Sequence, residues 1–321
     1  MMKTVIAIEP EIAPIDTLVP PMEHRVEPRP AVAAPSRLAD YLELTKPKIA
    51  VMALFTVAVG YLLGAAVSVS VLVLFHTLLG AGLVAAGGSA LNQWLERDID
   101  AKMHRTLKRP LPAGRLSATE ALVFGLVVSA AGLVYLFLTV PYPAGVVAAA
   151  TLVSYVAIYT PLKTVTVWNT VVGAVPGALP PLIGWCAARG WESPEGGITL
   201  FLVIFVWQIP HFLAIAWMYR ADYARGGLRM LPGIDVSGSR TSFVMIVTCI
   251  ALVPVGLWPV WLGIGGWLTA LGAVGSALFF LRAAIRFSRH RTDGQARKVL
   301  HASLLYLPLA LGFLLIDGLI G

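Results

Sequence analysis

Residues 69–100 read "VSVLVLFHTLLGAGLVAAGGSALNQWLERDID". The stretch 69–90 contains no Asp, Glu, Lys or Arg. It is long enough to cross a hydrocarbon core as a helix, which takes about 20 apolar residues. Glu96, Asp98 and Asp100 then arrive together beside Arg97. Carboxylates so near a bilayer are costly to hold and usually have a function. The reading of the whole chain turns on whether the helix carries them and on what they hold.

Apolar runs of this length recur from one end of the sequence to the other. Of the 321 residues 58% are hydrophobic and only 13% charged, too little charge for a soluble domain of this size. The expected class is all-α, a polytopic membrane protein with nine transmembrane helices. They fall at roughly 47–66, 70–94, 119–139, 143–160, 168–187, 198–219, 242–261, 264–287 and 301–320. Pro47 in "LTKPKI" (44–49) suits a first helical turn, and "TVPYPAG" (139–145) leaves room only for a turn. Two domains are expected: a tail over 1–37 and a membrane domain over 38–321. The tail is Pro-rich and polar, so it reads as disordered and cytoplasmic. It holds no apolar stretch of signal-peptide length, and its acidic residues argue against a transit peptide.

Loop charges orient the bundle. With the N-terminus inside, every Lys and Arg except Arg189 falls on the cytoplasmic side, as the bias of basic residues toward that side requires. The N-terminus is then cytoplasmic and the C-terminus outside. The net charge of +7 has its source in these loops rather than in nucleic-acid binding. Cys186 and Cys249 both lie in apolar spans, so neither a disulfide framework nor a thiolate metal site is implied.

On a helix, Asn92, Glu96 and Asp100 lie within about 80° of one another over two turns, and Asp98 points away. An amide and two carboxylates at this spacing form a ladder of hard oxygen ligands, which suits Mg²⁺ and phosphate oxygens. "AKMHRTLKRPLPAG" (101–114) follows, with Arg105, Lys108 and Arg109 placed to clamp an anion. A charge-balanced solvated loop is the competing reading. "MYRADYARGGLRMLPG" (218–233) repeats the order of helix end, acid, basic residues, Arg-x-Leu-Pro and Gly, with Asp222 as the acid. Two such ends facing one another would grip a diphosphate. In "YTPLKTVTVWNT" (159–170), Tyr159 and Lys163 stand four apart; they read either as phosphate ligands or as an interface anchor. Trp168 and Asn169 read equally as site wall or anchor. His211 lies mid-span after Pro210, which frees the carbonyl of Val206. An intramembrane His usually faces the bundle interior, where it reads either as a ligand through a neutral imidazole or as a hydrogen-bond partner of that carbonyl or of Gln208. His76 and His301 have no supporting motif and read as structural.

Together these elements resemble the UbiA-type membrane prenyltransferases, over residues 42 to about 310. The family's N-x-x-x-D-x-x-x-D is met by Asn92, Glu96 and Asp100, with Glu in the first acidic place. "RTLKRPLPAG" (105–114) continues the motif, and Tyr159 and Lys163 match Y-x-x-x-K. "LTKPKI", the segment 159–185 and "WQIPHF…DYARGGLRMLP" (207–232) are most similar to the branch of the family whose acceptor is heme. Branches that act on quinone precursors carry a second D-x-x-x-D, whereas here Asp222 stands alone with Gly226 four residues on.

The resemblance implies a UbiA-type bundle in a bacterial inner membrane that uses Mg²⁺ to transfer the farnesyl group of farnesyl diphosphate to a vinyl group of heme b. It assigns catalysis to Asn92, Glu96, Asp100, Arg105, Arg109, Tyr159, Lys163 and Asp222, and the metal to Glu96, Asp100 and Asp222. Lys46, Asn169, His211 and Arg225 would bind substrate. Heme A synthase and terminal-oxidase assembly factors would be protein partners. The rivals are a prenyltransferase with an aromatic acceptor and, from another class, a transporter. A transporter would carry its polar groups near mid-bilayer.

Overall fold

The structure, a computed structural model, describes residues 36–65 and 68–320. The tail expected over 1–37 lies outside the described residues as far as residue 35. The described chain opens with Ser36, which caps a short helix, α1 (Arg37–Leu44). Among the described residues, nine helices long and apolar enough to cross a membrane follow. They are α2 (Pro47–Ala65), α3 (Val71–Asp100), α4 (Ala118–Thr139) and a fourth span, Tyr142–Leu162. This fourth span begins as α5 (Tyr142–Val153), passes through a π turn at Ser154–Tyr159 and ends as α6 (Thr160–Leu162).

The fifth span is broken between α7 (Asn169–Ala178) and α8 (Pro180–Arg189). Pro180 and Pro181 there remove two backbone donors from the helix ladder. The chain continues with α9 (Glu195–Met218), the short α10 (Arg220–Arg225) and α11 (Leu231–Ile234), α12 (Ser239–Trp261), α13 (Trp267–Arg289) and α14 (Asp293–Ile320). Helices are the form an apolar solvent imposes on an open chain, because each satisfies its own backbone hydrogen bonds.

Most of the core lies in two apolar clusters. One gathers α2 to α5 with α8 around Tyr61, Val84, Leu136 and Ile183. The other gathers α9 and α12 to α14 around Leu213, Met245, Phe280 and Tyr306. Because helix association in lipid depends on close packing rather than on escape from water, small residues mark the tightest crossing. At the α2–α8 contact, a Cβ added to Gly60 would overlap the Pro181 carbonyl, and one added to Gly184 would overlap the carbonyl of Val57.

Two features of length place the polar residues. With 30 residues, α3 is about 45 Å long, well beyond a hydrocarbon core of about 30 Å. Its last turns therefore carry Asn92 to Asp100 past the core. At the other chain end of this region, α1 packs Leu44 against Ala90, Leu116 and Ala121. Arg115 pairs with Asp40 at 2.6 Å and Glu43 at 2.7 Å, and Gln93 donates to the Leu44 carbonyl at 3.0 Å. These contacts fix the chain just before Pro47, where Lys46 sits at a φ of 48°. A left-handed lysine is uncommon and persists only where its surroundings hold it.

Candidate active site

Helix α3 runs unbroken through Asp100, and its polar face is buried. Asn92, Glu96 and Asp100 are 1%, 7% and 1% exposed, while Asp98 points outward. Each buried group has a partner from a different part of the chain. Lys46 Nζ donates to Asn92 Oδ1 at 2.7 Å, and Asn92 Nδ2 donates to Thr160 Oγ1 at 3.1 Å. Lys163 Nζ donates to Glu96 Oε1 at 2.6 Å and lies 4.4 Å from the centre of the Tyr159 ring. Arg109 Nη1 donates to Asp100 Oδ2 at 2.5 Å.

The π turn helps to set this geometry. It widens the helix by one residue just before Thr160, whose hydroxyl bonds back to the Tyr155 carbonyl at 2.8 Å. The Tyr155 and Tyr159 rings stack at 5.9 Å. Gly173 lies against Tyr159, and a Cβ there would overlap the ring.

The second acidic segment closes on the first. Asp222 Oδ1 accepts the His104 N–H at 3.2 Å and a hydrogen bond from Arg225. Arg105 lies over the Tyr223 and Tyr219 rings at 4.5 and 5.2 Å. Asn169 Nδ2 donates to the Arg229 carbonyl at 2.7 Å, and the Arg229 N–H donates to the Lys163 carbonyl at 2.8 Å. Trp168 stays 68% exposed.

The electrostatics follow from burial against pairing. Burial, with the Arg109 charge nearby, pushes the Lys46 ammonium down to about 7. Burial also opposes the charge on Lys163, yet Tyr159 and Glu96 hold it above its ordinary value. At Asp222 burial is outweighed by Arg225 and the His104 N–H, and the carboxyl lies below the usual range.

The three carboxylates named for metal are not gathered into one cluster. Among the described residues no three His, Cys, Asp or Glu side chains come together in that way. Each carboxylate is held by a cation instead: Glu96 by Lys163, Asp100 by Arg109 and Asp222 by Arg225. The residues still fit a hard divalent ion. Asp100 Oδ1 is buried with no hydrogen-bond partner, and Glu96 stands one turn away on the same face of α3.

His211 lies apart from this cluster. Its Nδ1 is 2.7 Å from Ser303 Oγ on α14, and its ring stacks on Trp207 at 5.0 Å. Neither structural partner named from the sequence is used. Gln208 bonds instead to the carbonyls of Ala174 and Ile204. Sequence reading also missed Thr160, Thr106 (which bonds the Asp100 carbonyl at 2.7 Å), Tyr223 and the α1 anchors. Of these, α1 left a signal in Ser36 followed by the amphipathic "RLADYLEL".

Three helix ends and two loops thus bring buried acids and bases to one end of an all-helical membrane bundle, the layout of an intramembrane transferase. The chain belongs to the UbiA prenyltransferase family, whose family model matches residues 53–307. It is 46% identical over 289 residues to the protoheme IX farnesyltransferase of Solibacter usitatus, covering 87% of this chain and 99% of that one. Among solved structures it is similar to a digeranylgeranylglyceryl phosphate synthase, with a TM-score of 0.73 at 19% identity, over 88% of this chain and 99% of the other. It is also similar to a UbiA homologue from Archaeoglobus fulgidus bound to GPP and Mg²⁺, with a TM-score of 0.56 at 16% identity, over 86% and 99% of the two chains.

Proposed function

We propose that this chain transfers the farnesyl group of farnesyl diphosphate to a vinyl carbon of heme b, after which water adds to give a hydroxyethylfarnesyl product. The observation that carries this reading is the convergence of Lys46, Arg109 and Lys163 on the buried face of Asn92, Glu96 and Asp100. Ionising an allylic diphosphate places growing negative charge on the leaving group, and preorganised cations stabilise it as it develops. Lys46, Lys163 and Arg109 supply fixed donors there, while Arg105 stands on the loop after α3, over Tyr219 and Tyr223, and Arg225 stands on the facing segment. Asn92, held between Lys46 and Thr160, orients the lysine. The stacked Tyr155 and Tyr159 rings present aromatic faces to an allylic cation beside the leaving group.

Mg²⁺, when bound by Glu96 and Asp100 with Asp222 opposite, supplies charge neutralisation for the diphosphate. The Archaeoglobus homologue bound to GPP and Mg²⁺ supports the use of Mg²⁺, not the choice of these ligands. The heme acceptor is supported by the Solibacter relative and by the lone acid of the second segment. Asp222 with Gly226 four residues on is a poorer metal site than the paired acids of the quinone-precursor branch. The crowding of polar groups at one end of the bundle disfavours transport.

The test is product mass. Purified protein incubated with heme b, farnesyl diphosphate and Mg²⁺ should yield heme gaining one farnesyl and one hydroxyl group, with diphosphate and a proton released. A prenylated aromatic acid, with heme left unmodified, would replace this reading by its rival.

The site is taken to face the cytoplasm of a bacterial inner membrane, with the N-terminus inside, the C-terminus outside and the membrane domain spanning 38–321. Single cysteines at Gly114, Gly233 and Arg291 should then react with impermeant thiol reagents from the cytoplasmic side, and one at Gly190 from outside. A reversed label at any of them overturns that orientation.

His211 is proposed to bind the heme iron, with Ser303 fixing its tautomer as an outer partner does for a ligating imidazole. His211→Ala should weaken heme binding and shift the Soret band while leaving diphosphate affinity nearly unchanged. An unshifted band with heme still bound would leave His211 as a packing residue held by Ser303 and Trp207.

A further inference from the structure

Away from the candidate site, the described residues hold one more concentration of positive charge, and no ion pair among the described residues neutralises it. Arg282 and Arg286 stand one turn apart on α13, and Lys298 and His301 face them from α14; all four are exposed. None forms an ion pair among the described residues. The nearest acid in sequence, Asp293, is engaged by Arg220 at 2.6 Å. Four basic side chains therefore converge with no counter-charge paired to them among the described residues.

The shape around them is specific. A groove of about 350 Å³ runs between the two helices, its polar end lined by these four residues and its apolar end by Phe279 and Leu305. A second hollow of about 460 Å³ flanks the same two arginines on their other side, walled by Leu278, Leu281 and Ile285. Arg282 lies seven residues before the end of α13, about 10 Å along the axis, and His301 eight residues into α14, roughly 12 Å. Both arms thus meet at one depth, where headgroup gives way to acyl chain. Phe279 and Leu305, about half exposed, continue toward the hydrocarbon. Topogenic charge alone needs neither a groove nor an apolar continuation; its arginines extend separately to water.

We propose that the α13–α14 groove binds an anionic phospholipid, with its phosphate held by Arg282, Arg286, Lys298 and His301 and an acyl chain lying along Phe279 and Leu305. Basic pockets between membrane helices recognise such headgroups, and arginine forks match phosphate oxygens. The inference rests on the membrane-spanning reading and not on the identity of the acceptor. The Arg220–Asp293 pair ties the start of α14 to the helix that carries Asp222, so the lipid would brace the same end of the bundle as the site.

The full chain, purified and stripped of lipid, should retain phosphatidylglycerol over phosphatidylcholine in native mass spectrometry and melt at a higher temperature with it. The double variant Arg282→Gln/Arg286→Gln should lose that preference, on the order of thirtyfold for two charges near a lipid surface. Arg297→Gln, an exposed cation on α14 outside the groove, should keep it. Equal retention of the two lipids by the unmodified chain would overturn the proposal even if the double variant failed to fold. So would an equal loss in Arg297→Gln, which would mean net charge alone, or equal thermal protection by soluble glycerol phosphate, which would mean an anion site without a lipid.

Discussion

Glu96→Gln and Asp100→Asn should each lower turnover by about 10²-fold or more, the usual cost of losing one group that stabilises developing charge, while Asp98→Asn should stay within a few-fold of the unmodified enzyme. The three acids lie within five residues of one another, so composition and local charge cannot explain such a split. The helix can. Glu96 and Asp100 are buried and held by Lys163 and Arg109, whereas the Asp98 side chain is 81% exposed, with only Arg97 near it at 3.6 Å. Both loss variants keep the size of the side chain and its ability to hydrogen-bond, so melting temperature should move much less than rate. The measurement is turnover at saturating Mg²⁺ beside a thermal melt in detergent. Equal losses at all three positions would mean that the segment wraps its ligands as a loop, and the face of α3 would no longer explain the chemistry.

Much of this architecture was legible because a bilayer makes length and hydropathy decisive. Each of the nine spans shows as an apolar run, and the structure places a helix over each. The angular argument about residues 92–100 needed only that α3 continue past the hydrocarbon, which Asn92 to Asp100 do. Local backbone events were less visible. The π turn before Thr160 leaves no sign in "SYVAIY". The break between Ala178 and Pro180 could have been read from the paired prolines. Helix α1 was legible in its Ser36 cap and its amphipathic eight residues but was passed over, because two acids and one Arg make it resemble the polar sequence before it.

Partnerships were the least legible. Ser303 meets His211 across 92 positions, and Asp222 meets the His104 N–H across 118; no spacing rule reaches so far. The sequence supplied a set of acids and bases, and only packing decided which acid each base would hold. In the outcome Glu96 is paired with Lys163, Asp100 with Arg109 and Asp222 with Arg225.

The pairing of Lys163 with Glu96 gives the second large effect, because it separates holding the fold from holding the substrate. Both side chains are largely buried, 14% and 9% exposed. Lys163→Met should therefore strip Glu96 of its hydrogen-bonded cation and leave only the Lys46 and Arg109 charges to offset it, a loss on the order of 3–5 kcal/mol at most, unless Glu96 takes up a proton. It should also cost activity, since the same ammonium is placed to meet the diphosphate. Lys163→Met/Glu96→Gln removes both charges together. Its melting temperature should recover most of the way toward that of the unmodified chain, because a neutral pair carries no stranded charge. Its turnover should remain at least as low as that of either single variant, since a donor to the leaving group and a metal ligand are both gone. Thermal melts and product formation from heme and farnesyl diphosphate on all four proteins make the comparison. Recovery of both stability and turnover in the double variant would make this ion pair a structural brace, and the site would then have to be carried by Lys46, Arg109 and Asp100 without it.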